Sequence, residues 1–175
     1  MSQNAIKSMA LVAVVASTLA IPAESSAAVF VKFDGLDGES QDADHKDWVD
    51  VLSWSWGLSK DSRGKVCVQD LSLVKYLDSS TPDLIQSMPA DTTFRTADLE
   101  VWQGRERGRL VLRMVLNGVS VSSVSTGGSG GEDRLTENIT INFGNFQYEY
   151  TPQKPDGSGD SVLPFGFDIA KNEPK

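Results

Sequence analysis

The chain has 175 residues, 24 acidic against 16 Lys and Arg, and a formal net charge of −8. That length leaves room for one folded core. The acidic balance repels phosphate, and without a basic stripe interleaved with aromatics nucleic acid is excluded as a partner. One cysteine, Cys67, cannot form an intrachain disulfide, and one histidine with one cysteine cannot build a zinc site.

The first residues read as an export leader. Lys7 precedes an apolar run over 9–21, followed by Pro22 and the small residues Ser25, Ser26, Ala27 and Ala28. The run is shorter than the roughly 20 residues needed to span a bilayer. We therefore expect residues 1–28 to be a cleaved signal peptide and 29–175 to be the mature domain, secreted or periplasmic, with no stable membrane insertion once the leader is gone.

Beyond the leader, runs rich in Val, Ile, Phe, Trp and Thr alternate with Gly, Asp, Asn and Ser clusters, the pattern of an antiparallel barrel or sandwich. A first strand spans 29–34 and ends at the Asp34-Gly35 and Asp37-Gly38 turn signals. Residues 38–46 are acidic and aperiodic, as in an exposed loop. From 48 to 59 the residues alternate, placing Trp54 and Trp56 on one face. These two tryptophans read as aromatic core or subunit interface; a sugar-stacking platform is the alternative. A further strand over 66–77 changes phase at Asp70-Leu71, consistent with a bulge. Cys67, between Val66 and Val68, reads as a buried core thiol.

One helix follows. Ser80 or Thr81 caps it, Pro82 and Asp83 suit its first turn, and Leu84, Ile85 and Met88 form its apolar stripe before Pro89. Strands over 94–103, 109–117, 119–124 and 136–150 complete the pattern, with a kink or bulge at Gly144. Residues 105–108 form a charged turn, 126–134 a Gly-rich loop and 151–160 a Pro/Gly/Ser linker before a short segment at 163–169.

Catalytic chemistry finds little support. His45 lies between Asp44 and Lys46, which reads as a solvated or locally hydrogen-bonded loop residue rather than a general base. Asp34, Asp37, Glu39, Asp42, Asp44 and Asp47 crowd one stretch, yet their spacing is not that of an EF-hand. The glycines at 127–131 lack the Lys-Ser/Thr pair of a P-loop. No cofactor is expected.

Two blocks carry a resemblance. FDGLDGESQDADHKDWVDVLSWSWGLS at 33–59 and VSSVSTGGSGGEDRLTENITINFGNFQYEY at 121–150 resemble the haemolysin-coregulated protein family, the tube subunits of type VI secretion, and Gly166-Phe167-Asp168-Ile169 resembles its terminal segment. The resemblance implies a mostly β fold: an antiparallel barrel of two packed sheets with one short flanking helix. It also implies six copies closing into a ring, rings stacking into a tube, and effectors carried in the lumen or fused to subunits. The partners expected are the chain itself, secreted effectors and tube-tip or sheath proteins. Ring or stacking contacts are expected from the 38–46 and 126–134 loops, with Glu39, Ser40, His45, Thr126, Gly127 and Gly128 as the candidate residues. The leader is a departure, since the family's tube subunits assemble from chains without one. A secreted monomeric barrel binding carbohydrate or an envelope component is the alternative reading.

Overall fold

A computed structural model describes residues 27–104, 108–131 and 133–175. Residues 1–26 of the expected leader and 105–107 of the charged turn lie outside the described residues. Six strands close an antiparallel barrel in the order β1 (Ala27–Phe33), β2 (Val49–Ser55), β5 (Leu71–Tyr76), β8 (Thr136–Asn142), β7 (Arg109–Gly127) and β6 (Phe94–Gln103), which returns to β1. Strands β3 (Leu58–Lys60) and β4 (Val66–Val68) form a separate two-stranded arm. Strands β9 (Asn145–Tyr150), β10 (Leu163–Asp168) and β11 (Glu173–Pro174) extend the sheet outward from β7. The short helix α1 (Thr81–Ser87) connects β5 to β6 across one end of the barrel.

Alternation explains why this sequence closes. Val31 and Phe33, Leu71 and Leu73, Ala97 and Leu99, Val119 and Val121, and Ile139 and Ile141 each share one strand face and fill the interior. The two strands expected at 109–117 and 119–124 are one strand, β7, and Gly118 sits within it at φ +63°. That left-handed backbone favours glycine. Opposite it lies Gly144, whose N–H donates to the Asn117 carbonyl. The kink expected at Gly144 is therefore real: on one side of it β8 pairs with β5 and β7, on the other β9 pairs with β7 and β10.

Several expectations need correction. The alternation over 48–59 is interrupted: a register shift between Val51 and Ser53 changes the phase, so Val49 and Val51 face the core and Trp54 and Trp56 pack against it as well. The single strand expected at 66–77 is divided into β4 and β5 at Gln69 and Asp70. Cys67 is exposed, because β4 turns Val66 and Val68 toward the core and leaves the intervening thiol on its outer face. Ser80 occupies the helix N-cap without a side-chain cap bond; its hydroxyl donates to Asp78, while that of Thr81 donates to Glu137. Of the apolar stripe only Leu84 is buried, Ile85 and Met88 being exposed.

At the helix end the barrel interior holds a charged pair. Lys75 and Glu137, direct cross-strand partners on β5 and β8, point inward and are 1% and 0% exposed. Lys75 Nζ lies 2.6 Å from Glu137 Oε1 and also donates to Asp78 Oδ1 and the Tyr76 carbonyl, each at 2.8 Å. Thr81 Oγ1 donates to the same Glu137 oxygen at 2.7 Å, which fixes the start of α1 to the barrel wall.

Candidate assembly surfaces

Three surface regions stand out. The first is the connection from β1 to β2. Gly35 turns the chain at φ +78°, and Asp34 accepts from Arg95, whose guanidinium holds the Asp34 carboxyl below the usual carboxylate range. Gly38 then runs so close to the next strand that an added Cβ would lie 2.4 Å from the Trp48 carbonyl oxygen. Backbone bonds from Gly38 N to Asp47 O, Ser40 N to Trp48 O and Asp47 N to Ser40 O fold the loop onto itself. The loop thereby lies over the outer faces of β1 and β6 rather than projecting from them.

The candidate contact residues of this loop separate into two kinds. Glu39 is exposed and accepts from the backbone N–H of Ser79 at 3.0 Å, tying the loop to the turn before α1. Ser40 and His45 are buried, 1% and 4% exposed. His45 was expected to be solvated or locally bonded; the local bond exists, to Asp42, but the ring is covered by Phe30, Trp48 and Trp102. The acidic stretch is likewise engaged within the chain, Asp37 by Lys32, and Asp42 by the His45 ring and the backbone N–H groups of Asp44 and His45.

The second region is the tip of the β7–β8 hairpin. Thr126, Gly127 and Gly128 are exposed there, with Gly127 opposite Thr136. Arg134 folds back over the Tyr76 ring, 3.9 Å from its centroid, and the tip shelters a cavity of about 610 Å³ lined by Tyr76, Gly131, Asp133, Arg134 and Thr136.

The third region lies where β2 leaves the barrel. Trp54, Trp56, Gly57, Leu58, Tyr148 and Phe165 line a cavity of about 370 Å³. Trp56 stacks on Tyr148 and meets Phe146 edge-on. Leu58, Leu163 and Phe165 are exposed around it, as is Val162. The sequence pointed to Trp54 and Trp56, but Phe165 and Leu163 carried no signal beyond their hydrophobicity, because β10 reaches the tryptophans only through pairing with β9.

Among the described residues no group of three or more His, Cys, Asp or Glu gathers as a metal site. The three regions offer shape, hydrogen bonding and exposed apolar area.

Comparison with known proteins agrees with this geometry. A family model described as "Type VI secretion system effector, Hcp" matches residues 30–150. Protein hcp1 of Pseudomonas aeruginosa is 44% identical, the match covering 82% of this chain and 96% of that protein. Among solved structures, a type six secretion system protein superposes with a TM-score of 0.81 at 27% identity, covering 86% of this chain and all of that one. Hcp1 from Salmonella typhimurium superposes with a TM-score of 0.73 at 26% identity, covering 85% and 99%. The barrel, its short helix α1 and these matches together establish that the chain belongs to the Hcp family of type VI secretion proteins.

Proposed function

We propose that the mature chain is an exported, self-assembling subunit that closes into six-membered rings and stacks them into a tube that carries effectors. The observation that carries this reading is the family match across residues 30–150. The surface supports it. A ring closes through a contact between two different patches on each subunit, and here the polar loops Glu39 and Thr126 to Gly128 differ in chemistry from the aromatic cavity at Trp54, Trp56 and Phe165. Ser40 and His45 contribute by shaping the first loop from within. The role is mechanical, and its partners are further copies of the chain, secreted effectors and proteins of the tube tip and sheath.

Residues 1–28 act as a cleaved leader that delivers the domain to the periplasm or the medium. The family match begins just beyond that boundary, at residue 30. Cleavage after Ala28 leaves Val29 paired to both Val51 and Val101, so β1 loses only the Ala27 and Ala28 pairs on β6.

Light scattering on the purified protein tests assembly. A mass near six subunits is expected, and a clean monomer at all concentrations overturns the ring. Intact mass of the exported protein tests the leader, which is refuted if residues 1–28 remain. Deleting residues 126–131 is expected to abolish stacks while leaving single rings; normal stacks would remove that hairpin from the contact.

A further inference from the structure

One side chain shuts the 38–48 loop against the barrel. His45 lies flat on Phe30, ring centroids 4.1 Å apart and 5° between planes, with Trp48 and Trp102 edge-on at 5.0 and 5.2 Å. Its Nδ1 is 2.8 Å from Asp42 Oδ1 on its own loop, and its Nε2 is 2.9 Å from Glu100 Oε2 on β6. Both oxygens already act as acceptors. Asp42 Oδ1 receives the backbone N–H groups of Asp44 and His45, and Glu100 Oε2 receives Trp102 Nε1–H at 2.8 Å. The hydrogen bond from His45, with the two backbone donors, also holds the Asp42 carboxyl below its ordinary range.

A neutral imidazole carries one donor and one acceptor, whereas the imidazolium donates from both nitrogens. Two carboxylate acceptors are therefore served together only by the charged ring. The surrounding charge agrees: Asp42, Asp44, Lys46 and Asp47 lie on the loop, Lys32 on β1 is engaged with Asp37 and the Asp47 carbonyl, and Asp50 sits on β2 opposite Phe30. On β6 are Asp98 and Glu100, and from β7 Arg113 reaches them at 3.1 and 3.6 Å. Carboxylates outnumber cations around the ring.

We propose that His45 is a proton-operated clasp: protonated, it ties the 38–48 loop to β6 through Glu100, and on losing its proton it releases one of the two carboxylates and lets the loop lift from the outer face of β1 and β6. An adjoining cavity of about 250 Å³, lined by Asp42, Asp44, His45 and Trp102 among others, gives solvent a route to the ring. The sign follows directly: the tie exists on the acid side of the ring's titration and is lost as pH rises through it. Its consequence for assembly rests on the ring reading, because Glu39 on the same loop is a proposed contact; the clasp itself needs only this chain.

The chain has a single histidine, so protein carrying ¹³C- and ¹⁵N-labelled histidine reports His45 alone. Its ring titration is followed alongside hydrogen exchange at the Ser79 amide, which donates from the turn before α1 to Glu39 Oε1 on the loop. Both ring nitrogens are expected to carry hydrogen in the clasped state. Across the ring's titration, amide protection should fall by about 10- to 100-fold beyond the normal rise of exchange with pH, as expected for one lost charge-assisted bond. His45→Gln should abolish the step, and Glu100→Gln, which keeps an oxygen acceptor for Trp102, should move it to lower pH. Should His45→Gln not fold, the Glu100→Gln shift decides. A neutral ring in the clasped state, protection that stays flat across the titration, or a step unmoved in Glu100→Gln overturns the clasp. A monomeric mass in light scattering would overturn the ring and leave the clasp standing.

Discussion

Removing Lys75 alone should be the most damaging single change at the helix end of the barrel. Glu137 is fully buried, its Oε1 receives Lys75 and Thr81, and its Oε2 has no hydrogen-bond partner among the described residues. Lys75→Met leaves that carboxylate inside the barrel with one hydroxyl donor. Breaking a buried pair from one side costs about 3–5 kcal/mol. At roughly 2–4 °C per kcal/mol for a domain of this size, the melting temperature should fall by roughly 6–20 °C. The double variant Lys75→Met with Glu137→Leu removes both charges at once and should recover most of the loss, since apolar replacement of a buried pair is often neutral or stabilising. Thr81 keeps a partner in that background, the backbone N–H of Asp78 at 3.2 Å. Urea unfolding followed by tryptophan fluorescence, at one fixed protein concentration so that subunit association does not intrude, gives all the values of the double-mutant cycle. A loss below about 1 kcal/mol for Lys75→Met, or a double variant as unstable as the sum of the two single ones, would refute the argument that the pair matters because each charge is stranded without the other.

Gly38→Ala places a methyl 2.4 Å from the Trp48 carbonyl oxygen and 2.8 Å from Val49 Cγ2, so stability should drop by about 1–3 kcal/mol and limited proteolysis should cut within residues 38–48. Burial, foremost, raises the Asp98 carboxyl above its ordinary range, while Arg113 opposes the shift. The folded state therefore binds more protons than the unfolded state above pH 3.8, and this part of the stability falls as pH rises through that window. Asp98→Asn, compared with the unaltered protein by urea unfolding at several pH values, should gain relative stability from acid to neutral pH; a difference that does not change with pH would contradict the assignment. The Cys67 thiol should react stoichiometrically with a thiol reagent in the native protein, and Cys67→Ser should shift stability by no more than about 0.5 kcal/mol.

The barrel was legible in the sequence because its interior is written in alternation: Leu71 and Leu73, Ile139 and Ile141, and Val119 and Val121 each announce a face without reference to any other strand. The glycine at the phase change, Gly144, was legible for the same reason. Events decided by partners far along the chain were not. The bulge at Val51 and Ser53 is set by pairing with β5, and it undid an alternation that looked continuous. Cys67 has the neighbours of a core residue, yet its strand pairs only with β3. Lys75 and Glu137 lie 62 positions apart, and nothing local marks them out among 16 basic and 24 acidic residues as the ones turned inward. The candidate contact loop was found by its polarity, but its internal support was hidden, because Glu100 meets His45 across 55 positions.

The length of β7 has a mechanical consequence. Its 19 residues extend roughly 60 Å at about 3.3 Å each if straight; the first half joins the barrel strand β6 to the outer strand β9, and the second half pairs with β8. On one edge β7 is hydrogen-bonded to β6, and on the other to β9 and then β8. A pull along β7 therefore meets these ladders in shear, their bonds resisting together rather than parting one after another. Gly118 and Gly144 bend this beam without cutting it, since the bonds continue on both sides of the bend. The outer strands are thus joined to the barrel through β7 itself, whose 112–117 stretch is shared between β6 on one edge and β9 on the other.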